Sequence, residues 1–421
     1  MIGKYDITSV KSRQILDSRG NPTVECDVYC GKGFGRASVP SGASTGSHEA
    51  VELRDGYKDY HGLGVLKAVE NVMLIGQKLV GQDVRDQAGI DRISKDLDGT
   101  PDRSKLGANA LLAVSIAVNK AAASAKEAMV YEHIGHIYTH SEPRYCTPVP
   151  FMNVINGGAH AGNKLDIQEF MIVPRAQSFS DALRFGTETY HELKNLIGKK
   201  HGKEATNVGD EGGFAPPLTK TEEALDFLVK AAKKAGHAKD IFIAMDCAAN
   251  HYYRKGKYKL NRKTFTPEKL IKYYSKLVED YPIVSIEDPF HEEDYASFSA
   301  LTAAIGEKVQ VVGDDLFVSK ESRVRDGIRE QSANCVLLKP NQVGTVIDAF
   351  QTAQLASHSN FGVMVSHRSG ETCDDFIADL AVGIGCKQIK TGAPCRGERL
   401  AKYNELLRIE EQDVEHAEWF R

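Results

Sequence analysis

The sequence predicts an α/β protein in two parts, an N-terminal α+β domain followed by a TIM-type (β/α)8 barrel with an irregular start. Three observations predict it. The 421 residues exceed one small domain and suit two or three units. The first third shows period-two strands and then helix-period segments, which places helices on one face of an antiparallel sheet. The remainder alternates short, near-continuous apolar strands with helical stretches, the pattern of parallel βα units.

In the first part, residues 1–140, Val24, Cys26, Val28 and Cys30 alternate with Thr23, Glu25, Asp27 and Tyr29, so a strand with one buried face is expected. Leu66, Val69, Val72, Met73 and Leu79 fall at helical spacing. The longest apolar stretch, residues 106–125, is broken by Asn109, Ser115, Asn119 and Lys120, and reads as a buried helix instead of a membrane span. A linker around Ser141, Glu142 and Pro143 opens the second part, residues 141–421. Its strands are expected at 149–155, 170–173, 241–245, 283–286, 309–312, 335–338, 362–365 and 388–389. Helices are expected between them, for example at 221–235, 267–280 and 345–357. About eight such units suit a barrel of about 250 residues. The first connections are less regular, and one or two strands there are expected to pair differently.

Composition is that of a soluble globular chain, 42% hydrophobic and 26% charged. The net charge of -4 provides no basic field for nucleic acid or an anionic membrane. The N-terminus, MIGKYDITSV, lacks an apolar run of signal-peptide length. The 8 cysteines form no CxxC pair and no zinc spacing, which points to reduced core thiols in the cytoplasm.

The chemistry gathers at the strand ends. These read AMD (Asp246), SIED (Glu287), VGDD (Asp314), LLK (Lys339), VSHRSG (His367, Arg368, Ser369) and QIK (Lys390). Residues 41, 27, 25, 28 and 23 positions apart in sequence converge if these strands share one barrel mouth. Three carboxylates about 4 Å apart repel by roughly 4 kcal/mol per pair at a dielectric near 20, so they need a cation or a proton. Hard oxygen ligands favour Mg²⁺ or Mn²⁺ over zinc. Lys339, at its reference pKa of about 10.4, must fall by about 3 units to act as a base near neutral pH. Nearby Lys390 and a divalent metal are expected to push it that way. Arg368 and Ser369 offer a fork and a hydroxyl to a phosphate. GDEGG brings Asp210 and Glu211 close to a ligand, and Glu169 in DIQEF is a charge within an apolar strand that needs a partner. SGASTG (41–46) and NGGAHAGN (156–163) are small-residue loops suited to act as lids. Taken singly, each string has a plainer structural reading as a cap, a surface turn or a linker.

These motifs, with ILDSRGNPTVE near the start, occur in the order seen in the enolase family, and the chain resembles that family from about residue 5 to about residue 410. The resemblance implies a barrel with a ββαα start and a reversible dehydration of 2-phospho-D-glycerate to phosphoenolpyruvate, in glycolysis and gluconeogenesis. It implies two Mg²⁺ per active site, with Asp246, Glu287 and Asp314 on the first and Ser41 assisting the second. It implies Lys339 as the base at C2. Glu211 matches the acid at the C3 hydroxyl, with Glu169 close by and His367 near the leaving group. His160, Gln168, Arg368, Ser369 and Lys390 match substrate-binding positions, Arg368 and Ser369 on the phosphate. A homodimer acting on a small phosphorylated hydroxy acid is implied. The tail EQDVEHAEWFR departs from the family's pattern. The competing readings are another acid-sugar dehydratase or racemase of the same superfamily, and a binding protein, including one with a cell-surface role.

Overall fold

The computed structural model describes residues 3–43, 46–139, 142–417 and 419–420. Strands β1 (Ile7–Leu16), β2 (Pro22–Cys30) and β3 (Phe34–Ser38) form an antiparallel sheet in that order. The alternation in β2 does what period two requires, because Val24, Cys26 and Val28 are fully buried. Its other face is not plain solvent. Asp27 is buried there between Arg13 at 2.5 Å and Arg36 at 2.6 Å. Four helices follow within the described residues: α1 (Leu66–Leu79), α2 (Gln87–Asp98), α3 (Ala108–Lys126) and α4 (Val130–Thr139). Helix α3 packs on β2 and β3. A Cβ on Gly35 would come within 2.1 Å of the Ala117 carbonyl oxygen, so only glycine admits this approach. Among the described residues, α3 alone is long and apolar enough to cross a membrane, yet 89% of its apolar window is buried inside the fold. The boundary read between residues 140 and 141 lies outside the described residues.

The barrel begins with β4 (Val149–Asn156) and β5 (Glu169–Pro174), then α5 (Phe179–His201) and α6 (Thr221–Ala235), then β6 (Ile241–Asp246). This is the expected ββαα start, and β5 runs antiparallel to both neighbours. A small sheet of β7 (Tyr253–Arg254), β8 (Lys257–Leu260) and β9 (Lys263–Phe265) comes next. Regular units then alternate: α7 (Pro267–Asp280), β10 (Ile283–Glu287), α8 (Tyr295–Ile305), β11 (Gln310–Gly313), α9 (Glu321–Glu330) and β12 (Cys335–Leu338). They continue with α10 (Val346–His358), β13 (Gly362–Ser366), α11 (Phe376–Gly383), β14 (Gln388–Lys390) and α12 (Gly397–Glu410). The ring closes in the order β10-β11-β12-β13-β14-β4-β5-β6.

Inside the ring, Phe151, Met171, Val173, Val312, Leu337 and Met364 pack with Ala417 and Phe420 from the tail. The Phe420 and Phe151 rings lie 5.2 Å apart, and Trp419 lies 5.1 Å from Phe242. His416 bridges to Thr147, just before β4, in parallel fashion. The tail therefore closes the barrel floor, at the start of β4. Glu418 and Arg421 lie outside the described residues. The opposite end receives the C-terminal ends of seven strands and the N-terminal end of β5.

Candidate active site

A cavity of about 290 Å³ opens at this mouth, and eleven of the thirteen sequence-predicted side chains line it; Glu287 and Ser41 do not. A larger cleft of about 1110 Å³ lies elsewhere, lined by residues such as Glu25, Arg36, Lys120 and Glu398, but it receives no barrel strand end. The chemistry therefore belongs at the mouth.

Two lysines organise the acids. The Lys390 ammonium sits 2.8 Å from both Glu287 oxygens, 3.0 Å from Glu169 and 3.4 Å from Asp246. Gln168 also donates to Asp246 at 3.2 Å. Burial works against the Lys390 charge, but Glu169 and Glu287 outweigh it and hold the amine well above its ordinary range. Burial and the facing Asp246 push Glu287 well above the usual carboxylate range. Lys339 follows β12 and places its ammonium 2.5 Å from Asp314. Burial lowers the Lys339 amine, yet Asp314 outweighs burial and the net direction is up. Lys390 does act in the expected, lowering direction, but the Asp314 carboxylate opposes it more strongly. Asp314 is set by Asp288, whose two oxygens accept the backbone N–H groups of Asp314 at 2.9 Å and Asp315 at 2.7 Å.

Across the ring, His160 Nδ1 lies 3.5 Å from both Glu169 and Glu211. Asn153 donates to Glu211 at 2.9 Å, and His367 Nε2 lies 3.4 Å from it. The two carboxyls are driven apart. Burial and the neighbouring Glu211 raise Glu169. Burial also opposes charge on Glu211, but His367 and His160 hold it well below the ordinary carboxylate range. The two neighbouring carboxyls are thus shifted in opposite directions. Burial pushes the His367 imidazole down to about 3, so it is neutral.

Arg368 is fully engaged by the chain itself. Its guanidinium donates to Glu49 at 2.9 and 3.1 Å and to Asn341 at 3.0 Å. The Ser369 hydroxyl accepts from Ala43 N–H at 2.7 Å, so the loop of residues 41–46 touches the turn that carries Arg368 and Ser369. Ser41 does not face the cavity. Its hydroxyl donates to Glu52 at 3.0 Å and accepts from Arg54 at 2.9 Å. Ser44 and Thr45 of that loop lie outside the described residues. The loop of residues 156–163 carries His160 into the cavity.

Among the described residues, two sets each bring their donor atoms within 4.8 Å of one another: His160 with Glu169 and Glu211, and Asp288 with Asp314 and Asp315. Asp246 and Glu287 are register partners across β6 and β10. This density of buried carboxylate oxygens fits a hard divalent cation. Sequence reasoning missed Glu49, Asp288, Asn153 and Arg399. Asp288 adjoins the SIED motif and was within reach; the others carry no local signal.

Comparison with known proteins gives the family. A family model described as "Enolase, C-terminal TIM barrel domain" matches residues 144–420, and "Enolase, N-terminal domain" matches residues 7–134. The chain is 55% identical over 412 residues to the enolase of Methanocaldococcus jannaschii, covering 97% of this chain and 96% of that one. It is 54% identical over 418 residues to the enolase of Pyrococcus furiosus, covering 98% and 96%.

Proposed function

The chain belongs to the enolase family and is a carbon–oxygen hydro-lyase, and from that premise we propose that it interconverts 2-phospho-D-glycerate and phosphoenolpyruvate. One observation carries the reading. Strands β12 and β5 stand four places apart in a ring of eight, so Lys339 and the Glu169–Glu211 pair face each other across one cavity. A base on one side and a proton carrier on the other suit removal of a C2 proton and loss of a C3 hydroxyl from opposite faces.

Lys339 takes the C2 proton once Asp314 no longer holds it charged. The Glu169–Glu211 pair passes its proton toward the departing hydroxyl, with His367 and His160 supporting Glu211. Arg368 and Ser369 grip the phosphate after exchange of Arg368 away from Glu49, while Lys390, Gln168 and His160 complete the substrate site. Asp246, Glu287 and Asp314 would hold Mg²⁺, which supplies stabilisation of the charge that builds on the substrate carboxylate, with two ions per site in this reading. The same reading places the protein in the cytoplasm, in glycolysis and gluconeogenesis, as a homodimer whose domains meet at residues 140 and 141.

The test follows the enol double bond by absorbance with 2-phospho-D-glycerate. Turnover is expected with Mg²⁺, loss on rigorous EDTA treatment, and recovery on adding Mg²⁺ back. Inactivity on this substrate, together with activity on an unphosphorylated sugar acid, refutes the reading. Activity that survives chelation removes the metal from it.

A further inference from the structure

Helix α12 begins with a run of charges, CRGERLAK, of the sort that normally faces water. Arg399 does the opposite. Its side chain is wholly buried, directly behind the catalytic loops. One terminal nitrogen donates to the Arg368 carbonyl at 2.6 Å and to His367 Nδ1 at 2.6 Å. The other donates to the Ser369 carbonyl at 2.6 Å and the Asp210 carbonyl at 3.0 Å. A single planar cation therefore ties the end of β13, which carries the phosphate-side residues, to the loop that carries Glu211.

The bond to His367 has a chemical consequence. A guanidinium is donor-only, so His367 Nδ1 must be the bare, accepting nitrogen and Nε2 must carry the hydrogen. That N–H lies 3.4 Å from Glu211. Gly392 confirms how closely the groups are packed, since a Cβ there would come within 2.8 Å of the Glu211 carbonyl, 2.9 Å of Arg399 Cδ and 3.1 Å of His367 Cε1. Lysine cannot replace this arrangement, because a compact ammonium lacks the fork that spans two loops.

We propose that Arg399 is a positioning residue for the dehydration, fixing His367 as the neutral Nε2–H tautomer toward Glu211 and locking the acid-bearing loop to the phosphate-bearing loop. The proposal rests on the reaction assigned above. It predicts an effect on the chemical step larger than on binding, since misplacing a reacting group by about 1 Å costs roughly 100-fold.

The experiment has two arms, both with Mg²⁺ supplied. In the native protein, nitrogen-15 imidazole spectra should show His367 with a bare Nδ1, a protonated Nε2 and no titration between pH 5 and 8. A protonated Nδ1, or titration in that range, overturns the proposal without any variant. In Arg399→Lys, kcat for 2-phosphoglycerate should fall about 100-fold with KM changed less than about threefold, and His367 should begin to titrate. Native kcat, or a fall in kcat that merely follows loss of folded protein by circular dichroism, overturns it. Failure of the native protein to turn over 2-phosphoglycerate sinks the reaction assignment instead, so the two failures are distinguishable.

Discussion

Replacing Lys339 with alanine separates the two halves of the proposed reaction. Two unit charges 2.5 Å apart attract by roughly 7 kcal/mol at an effective dielectric near 20, which bounds what keeps the proton on Lys339 while Asp314 is its partner. A positioned general base contributes about 10²–10⁴ in rate, or about 3–5 kcal/mol of barrier. Lys339→Ala should therefore lower kcat by at least that factor. Arg368, Ser369 and Lys390 remain, so substrate affinity should survive. Asp314 loses its buried partner, and stability should fall by up to about 3–5 kcal/mol, so circular dichroism must accompany the kinetics. The decisive assay is exchange of the substrate's C2 proton with deuterated water. It should vanish in Lys339→Ala and persist in Glu211→Gln, which acts at C3. Native-rate exchange in folded Lys339→Ala would refute the assignment of the base.

Two further outcomes test the scaffold. Phe420→Ala should cost about 3 kcal/mol by emptying the barrel floor, read as a lower urea midpoint, with activity per folded molecule unchanged because the mouth is at the other end; an unchanged midpoint removes the tail from the core. Buried His133 in α4, whose pKa burial, Lys126 and His136 together lower to about 4, stays neutral in the folded state while the unfolded chain takes up a proton below about pH 6.5. Stability from this group should thus fall as pH drops, by about 2 kcal/mol between pH 7 and pH 5, and His133→Asn should lose that part of the slope in urea titrations.

Much of the barrel was legible because its strands are apolar on both faces and end in one polar residue each. The 335–338 strand and the 221–235 and 267–280 helices coincide with observed elements. The small sheet of β7–β9 was not legible, since Tyr258 and Leu260 are buried within a lysine-rich run that reads as solvated loop. Arg399 and Lys402 were hidden for a similar reason. Their charges satisfy buried carbonyls and Glu371, so polarity along α12 misreports which side faces inward. The Lys339 direction needed a distance, not a motif: only the fold shows that Asp314 lies nearer than Lys390.

The reversed second strand has a consequence for how such a site can change. Gln168 and Glu169 reach the mouth from the beginning of β5, at the end of the excursion from residue 157 to residue 168, whereas Asp246, Glu287, Asp314, Lys339 and Lys390 arrive as strands finish. Lengthening or shortening that excursion moves the Glu169 side of the cavity, and His160 with it, without altering how any parallel pair is stitched. Selectivity at that quadrant is separable from closure of the ring, which gives evolution or a designer a dial that leaves Lys339 where it stands.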